Sequence, residues 1–250
     1  MPKQIGLIKI KGKLGDTSFY KSKDGYLVRD KGGVDGQRIK SDPRFQRTRE
    51  NMAEFGQSAK MGAELRKLLA PVIQKIKDPR MANRLTAKVR EAINADVSHP
   101  RGERLLQDGD LSLLQDFDFN VLSPFSTTYF GSHARSIDRA TGDVDVTVPV
   151  FDPEDYLQAP TESTHFRFVV GILEWDISGA ASKLVVERSS YLPKNAATTA
   201  DIVLSGSITA NTTKPILVVL GVEFAQQLNS VNYALADSGF MAARVVAVEV

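Results

Sequence analysis

A period-two alternation of apolar and polar side chains marks the second half of the chain. At residues 165–174 the sequence HFRFVVGILE places Phe166, Phe168, Val170 and Ile172 on one face of an extended strand. Six further segments carry short strand patterns separated by turn residues, at 129–135, 143–150, 183–190, 201–209, 215–223 and 241–250. Strands at this spacing predict an antiparallel β-sandwich of immunoglobulin-like size. The prediction depends on pattern alone, because the chain has no cysteine pair of the immunoglobulin type.

The first thirty residues predict a small β-meander. Residues 5–13, 17–20 and 26–29 have short strand patterns, and Asp24-Gly25 between the last two is a hairpin signal. So few small strands are stable only when they pack on something else. We expect that partner to be a helix, another domain or another subunit.

A charged segment and helices follow the meander. Residues 30–49 are rich in Gly, Asp, Lys and Arg and predict an extended arm, whereas a helical period runs from residue 47 or 48 to 69. Small residues around Gly56 and Gly62 would let another backbone approach this helix, with ordinary packing inside the domain as the alternative. Asp78-Pro79 then predicts the start of a second helix that continues to about residue 94.

Charge is distributed unevenly along the sequence. Residues 1–100 carry 22 Lys and Arg against 11 Asp and Glu, whereas residues 101–250 carry 10 against 19. A basic half suits an acidic partner, and the acidic half of another copy is one such partner. The sequence therefore predicts an α+β protein with two domains, a basic meander, arm and helical region at 1–118 and an acidic sandwich at 119–250.

The composition removes the support for several functional classes. Without cysteine the chain forms no disulfide, thiolate zinc site or cysteine nucleophile. The sequence contains no G-x-x-x-x-G-K-S/T or G-x-G-x-x-G loop, no G-x-S-x-G turn and no H-E-x-x-H pair. We therefore predict no catalytic, cofactor-binding or metal-binding residues and no enzymatic activity, with a hydrolase built from carboxylates that meet only on folding as the alternative.

Targeting signals are also missing from the sequence. Every apolar stretch is far shorter than the roughly 20 residues that cross a bilayer, and the N-terminal residues lack the pattern of a secretory signal peptide. The predicted location is cytoplasmic and without a membrane span, with release or export by another route left open.

Metal-ligating residue types occur in two settings. Asp138, Asp143 and Asp145 surround a glycine turn, and calcium requires several such oxygens. Turn chemistry and an outward strand face explain the three aspartates more simply. The three histidines lie far apart in the sequence, so a histidine site would depend on the fold to assemble it.

The predicted function is that of a non-enzymatic structural subunit that assembles with copies of itself into a filament, tube or similar homomeric assembly. The interface candidates are apolar, aromatic and basic: Ile8, Ile10, Phe19, Tyr20, Tyr26, Arg29, Arg38, Arg44, Arg47, Arg49, Phe55 and Gly56. The alternative is a binding module, for nucleic acid through the basic half or for carbohydrate or protein through the sandwich. Aspartates interrupt the basic run and no nucleic-acid motif is present, which favours assembly.

Three stretches are similar to those of a known family. They are GLIKIKGKLGDTSFYKSKDGYLVRDKGG at 6–33, DPRFQRTRENMAEFG at 42–56, and the end of the chain from GVEF at 221–224 to AARVV at 242–246. Together they resemble a family of uncharacterised bacterial proteins of about this length. The resemblance implies a bacterial protein and no particular activity, because that family has no established function to transfer.

Overall fold

A computed structural model describes residues 2–22, 24–30, 33–76, 78–179, 181–235 and 240–250. The chain divides into two compact units, Met1–Arg49 and Glu50–Val250. Helices and antiparallel sheets are both present, which confirms the predicted α+β class. The domain boundary expected near residue 118 falls inside the second unit, because the helices before it share a core with the strands after it.

The N-terminal unit contains a three-stranded antiparallel sheet in the order β1-β2-β3. Its strands are β1 (Gly12–Leu14), β2 (Thr17–Ser22) and β3 (Gly25–Asp30). The predicted hairpin is therefore present, although Lys23 in its turn lies outside the described residues. The first strand is much shorter than the expected 5–13.

Residues 2–10 connect the two edges of this sheet without forming a strand. Gln4 N donates to Tyr26 O at 2.9 Å and Val28 N donates to Pro2 O at 3.0 Å, so residues 2–4 lie beside β3. The side-chain amide of Gln4 accepts from Ile10 N at 2.8 Å and donates to Ile10 O at 3.1 Å. The strand prediction is wrong here because the Gln4 side chain satisfies backbone groups that a neighbouring strand would otherwise bind.

The expected extended arm contains two short helical segments. These are α1 (Gly36–Ser41) and a 3-10 turn at Pro43–Phe45, while residues 31 and 32 lie outside the described residues. The Asp42 carboxylate accepts from Arg44 N at 3.0 Å and so begins the 3-10 turn. Local bonds of this kind stabilise turns that have no apolar period.

The second unit begins within a long helix. Its helices are α2 (Gln46–Leu68), α3 (Ala70–Ile73), α4 (Met81–Asn94), α5 (Phe125–Thr128) and α6 (Pro153–Tyr156), with 3-10 turns at Leu106–Asp108 and Leu111–Leu114. The two long helices confirm the helical predictions to within a few residues. Asp78 marks the turn before α4, since its carboxylate accepts from Arg80 N at 2.7 Å.

Among its described residues the second unit has nine strands, which form two antiparallel sheets. They are β4 (Ala134–Asp138), β5 (Asp143–Val148), β6 (His165–Glu174), β7 (Lys183–Arg188), β8 (Leu192–Pro193), β9 (Ile202–Ser207), β10 (Ile216–Leu228), β11 (Val231–Ala234) and β12 (Ala242–Glu249). The larger sheet has the order β11-β10-β6-β7, with β12 paired to β10 and β8 to β6; the smaller has the order β4-β5-β9. The strand expected at 129–135 starts only at Ala134, because Tyr129 and Phe130 bond instead to the segment around α6, where Phe130 N donates to Tyr156 O at 2.9 Å. The sequence did not predict β8 or β11.

The central strands of the larger sheet are buried on both faces. Phe168 and Ile172 of β6 point to a core shared with the smaller sheet, whereas Val169 and Leu173 point to a core shared with α2, α3 and α4. The second unit therefore has three layers: helices, larger sheet and smaller sheet. Two sheets do share a core, but the immunoglobulin-like arrangement is not confirmed.

The helical layer approaches the larger sheet closely at Gly171. A Cβ atom there would lie 2.7 Å from Val72 Cγ2, whereas a Cβ at Gly56 on α2 would meet nothing within 4 Å. Valine has a short side chain that is stiff at its first torsion, so it cannot move aside cheaply. The absence of a side chain at position 171 is thus required for the helices to cover the sheet.

Gly171→Ala is expected to lower the free energy of unfolding by about 1–3 kcal/mol, because the added methyl group overpacks the contact with Val72. Gly56→Ala is expected to raise the free energy of unfolding by up to about 1 kcal/mol, because alanine has the higher helix propensity. Urea unfolding followed by the fluorescence of Trp175, which is fully buried, measures both. If both variants lowered the free energy of unfolding to the same extent, Gly171 would not be the point where the helices pack against the larger sheet.

Candidate interaction site

The N-terminal unit exposes most of its large aliphatic side chains. Among its described residues Leu27 is the only buried hydrophobic side chain. The exposed ones are Ile5, Leu7, Ile8, Ile10, Leu14 and Val34. Ile5 and Ile8 are 91% and 84% exposed, and Leu7 is fully exposed. We call Ile5, Leu7, Ile8 and Ile10 the aliphatic loop. Single exposed aliphatic residues are ordinary, but a group of them on a unit whose described part buries so little apolar surface is typical of an interaction surface.

Aromatic and basic side chains occupy both faces of the small sheet. Register places Phe19 and Tyr26 on one face and Tyr20 and Arg29 on the other. The Arg29 guanidinium lies 5.8 Å from the centre of the Tyr20 ring, and a shallow pocket of about 420 Å³ adjoins Phe19, Tyr20, Arg29 and Lys13. Residues 1–49 carry 13 Lys and Arg against 5 Asp, a net charge of +8. This unit therefore presents a basic, partly aromatic surface.

Three of the predicted interface arginines converge on Asp42. Arg44 Nη2 lies 2.8 Å and Arg38 Nε 3.4 Å from Asp42 Oδ2, and Arg49 donates to the backbone carbonyl of Asp42 at 3.0 Å. Hydrogen bonds from Arg44 lower the pKa of Asp42. These arginines hold the two short helical segments together, whereas Arg47 lies exposed in the first turn of α2.

Phe55 and Gly56 both lie on α2 within the second unit, and Phe55 lines a groove between α2 and α4. The groove has a volume of about 510 Å³ and contains small side chains; its lining includes Phe55, Ala59, Arg66, Ala82, Ala87 and Arg90. Phe55 is 56% exposed. A Cβ at Gly62 would lie 3.4 Å from Thr86 Oγ1. Close approach inside the unit thus explains Gly62, while Gly56 stays open. We call this feature the helical groove.

The outward face of the smaller sheet is acidic. Val144 points into the core, so its neighbours Asp143 and Asp145 point outward, and Asp138 pairs with Asp143 across β4 and β5. The Asp138 carboxylate accepts from Ala140 N at 2.8 Å and organises the turn between the strands. The bond from Ala140 N to Asp138 agrees with a turn role for that aspartate, and the outward direction of Asp143 and Asp145 agrees with their expected place on an exposed strand face. We call Asp138, Asp143 and Asp145 the acidic face.

Asp96, His99 and Asp108 form the only group of three described ligand-type residues with spacing suited to a metal ion. The buried Asp96 carboxylate already accepts from Ser98 N at 2.7 Å, Leu105 N at 3.0 Å and His99 Nδ1 at 2.8 Å. The bond from Leu105 N, with those from Ser98 and His99, lowers the pKa of Asp96 to about 2. These bonds give Asp96 a structural role, the anchoring of the loop after α4.

A second buried carboxylate joins the helical layer to the larger sheet. Glu223 on β10 accepts from Arg167 Nε on β6 at 2.9 Å, and Lys75 Nζ after α3 lies 3.6 Å from the same Glu223 oxygen. Arg188 Nε lies 3.9 Å from the other oxygen, and Arg167 also stacks over Tyr191. The sequence did not indicate this cluster, because its members come from four separate segments.

Comparison with protein-family models, curated proteins and solved structures finds no match for this chain. Any assignment of function therefore depends on the surfaces described above. Within the described ranges, no helix combines the length and the hydropathy needed to cross a membrane.

Asp96→Asn is expected to lower the melting temperature at neutral pH, because the amide has one acceptor oxygen and no charge. The pKa of the Asp96 carboxyl is lowered to about 2 in the folded chain, whereas an aspartate in the unfolded chain has a pKa of about 3.9. The charged carboxylate therefore contributes its full stability above a pH of about 3.9, and this contribution is lost as the pH falls toward 2. The difference in melting temperature between variant and wild type should therefore shrink as the pH falls from about 5 to 2.

Thermal unfolding followed by circular dichroism measures this difference. Glu187→Gln, at an exposed carboxylate of β7, is the control and should have little effect. A difference for Asp96→Asn that stays constant over this pH range would contradict the anchoring role of the carboxylate.

Proposed function

We propose that the protein is a non-enzymatic structural subunit that assembles head to tail with copies of itself into a filament or tube. The observation that carries the proposal is the exposed aliphatic loop on an N-terminal unit with a single buried hydrophobic side chain among its described residues. Units this small usually need another source of stability, and oligomerisation is one.

The aliphatic loop offers substantial binding energy. Complete burial of an aliphatic side chain contributes about 1.5–3 kcal/mol, and three of the loop's side chains, Ile5, Leu7 and Ile8, are at least 84% exposed. Their burial against a neighbouring copy would contribute roughly 5–9 kcal/mol before the costs of association. This amount is large enough to influence the assembly equilibrium.

The charges of the second unit favour a directional contact. Residues 50–94, which contain the main helices, carry 9 Lys and Arg against 5 Asp and Glu, whereas residues 95–250 carry 10 against 20. The helices cover one face of the larger sheet and the smaller sheet, with its acidic face, covers the other. Opposite charges on opposite sides favour a head-to-tail contact, which propagates unless rotation closes it into a ring.

The basic N-terminal unit complements the same acidic face. In the proposed assembly its basic side chains pair with Asp138, Asp143 and Asp145 of a neighbouring copy, and the aliphatic loop is buried elsewhere in the same interface. Exposed charge pairs of this kind are weakened by salt, because the Debye length falls from about 30 Å at 0.01 M to 3 Å at 1 M.

The triple substitution Ile5→Ser, Leu7→Ser and Ile8→Ser is expected to reduce the assembled fraction by more than about tenfold, since each 1.4 kcal/mol of lost binding is a factor of ten. Light scattering and negative-stain microscopy at low salt measure assembly. The matched control is Val97→Ser, Leu122→Ser and Val250→Ser, which removes three exposed aliphatic residues from the second unit. Equal assembly by both variants would contradict a role of the aliphatic loop.

A second candidate function is binding of single-stranded nucleic acid. The observation that favours it is the pocket beside Phe19, Tyr20 and Arg29, because aromatic rings next to cations stack bases and meet phosphates. Here the basic charge of the N-terminal unit would attract a polyanion rather than a neighbouring subunit.

For this candidate, Tyr20→Ala should weaken binding of a single-stranded oligonucleotide by roughly 5- to 100-fold, which corresponds to about 1–3 kcal/mol for a lost stacking contact. Fluorescence anisotropy measures the affinity, and Tyr233→Ala, at an exposed tyrosine of the second unit, is the control. Unchanged affinity, or none in the wild type, would reject nucleic-acid binding at this pocket.

A further inference from the structure

The helical groove combines an apolar lining with positive charge. Arg66 and Arg90 line it, and both residues are partly exposed. A guanidinium binds a carboxylate strongly. The groove therefore suits an occupant that carries both an apolar or aromatic group and negative charge.

The aliphatic loop of another copy does not meet this requirement. Lys9 lies within the loop and Lys11 directly follows it, so its charge has the same sign as that of Arg66 and Arg90. Like charges brought together at an interface oppose binding. The occupant must come from an acidic part of the chain.

An acidic aromatic projection on the second unit has the required chemistry. Tyr156 is 44% and Phe130 55% exposed, and Phe130 N donates to Tyr156 O at 2.9 Å, which holds the two residues side by side. Glu154 and Asp155 are exposed in the same turn of α6. We call these four residues the acidic knob.

Buried residues on either side fix the acidic knob in place. Phe151 before α6 and Leu157 after it belong to the core between the larger and smaller sheets. Asp152 accepts from Glu154 N at 3.0 Å and caps the helix. A projection held in this way binds with little loss of conformational entropy.

We propose that the acidic knob of one copy docks into the helical groove of the next, with Tyr156 against the small side chains and Glu154 and Asp155 beside Arg66 and Arg90. This inference rests on the proposed self-assembly and names one of its contacts. The groove lies in the helical layer and the knob is anchored in the core on the other side of the larger sheet. Because the two surfaces differ and are on opposite sides, the contact is heterologous and can repeat indefinitely.

The contact would be an anchor within a larger interface. Stable interfaces bury about 1,600 Å² in total, more than one side chain and one groove provide. Aromatic and arginine residues at the centre of an interface commonly carry most of its energy. Docking of the N-terminal unit on the acidic face would supply further area.

Charge reversal with rescue tests the pairing of the two surfaces. Arg66→Glu with Arg90→Glu, and Glu154→Arg with Asp155→Arg, should each reduce assembly at low salt by at least about tenfold, because groove and knob then carry like charge. An equimolar mixture of the two variants should recover assembly, since each groove then meets a knob of opposite charge. Lys60→Glu with Lys67→Glu, on the exposed surface of α2 outside the groove, is the control.

Disulfide trapping tests the geometry, because the chain has no cysteine of its own. The Ala87→Cys and Asp155→Cys proteins, which we call the groove pair, are purified separately and mixed under oxidising conditions. They should form a disulfide-linked mixed dimer. The control pair is Val97→Cys with Asp155→Cys. A disulfide needs Cα atoms within about 4.4–6.8 Å, and residues in contact have an effective concentration on the order of millimolar. At micromolar protein the groove pair should cross-link at least about tenfold faster than the control.

The outcomes separate this inference from the proposed function. If the wild type assembles and both charge-reversed variants assemble as well as the wild type, the knob and groove do not meet and another contact drives assembly. The same conclusion follows if the groove pair cross-links no faster than the control pair. If the wild type stays monomeric at every salt concentration, the proposed function fails and this contact fails with it.

Discussion

The pairing of β6 with β10 is the contact on which the second unit depends. Residues 168–174 of β6 and 216–225 of β10 are all buried, so both faces of this strand pair must be covered. The smaller sheet covers one face, and α2, α3 and α4 cover the other. Antiparallel sheets commonly leave one face to solvent, whereas here the helices cover the face that the smaller sheet does not.

Much of the fold was predictable where one local pattern decides the structure. Alternation placed β6 at residues 165–174 with the observed bounds, and periodicity placed α2 and α4. The three layers were not predicted, because the cover for Val169 and Leu173 comes from helices about a hundred residues earlier. The strand expected at 5–13 was wrong for a local reason, since one glutamine side chain binds the backbone of Ile10.

The candidate site was predictable only in part. Hydrophobicity and charge singled out Ile8, Tyr20 and Phe55, but no sequence pattern indicates which aliphatic residues a small unit leaves exposed. The helical groove exists because α2 and α4 pack at Gly62, and the acidic knob exists because residues 130 and 156 are joined by a backbone hydrogen bond. Contacts between distant segments create both features, and sequence periodicity does not report such contacts.

The uneven charge of the sequence becomes directional once the layers are known. Basic helices and an acidic sheet lie on opposite sides of one unit, and a basic N-terminal unit with exposed aliphatic residues accompanies them. Sedimentation velocity of the intact chain, across protein concentration and at about 0.05 M and 0.5 M salt, tests head-to-tail assembly most directly. Head-to-tail assembly should give species much larger than 27.4 kDa that grow with concentration at low salt and diminish at high salt. A single 27.4 kDa species under all of these conditions would contradict it.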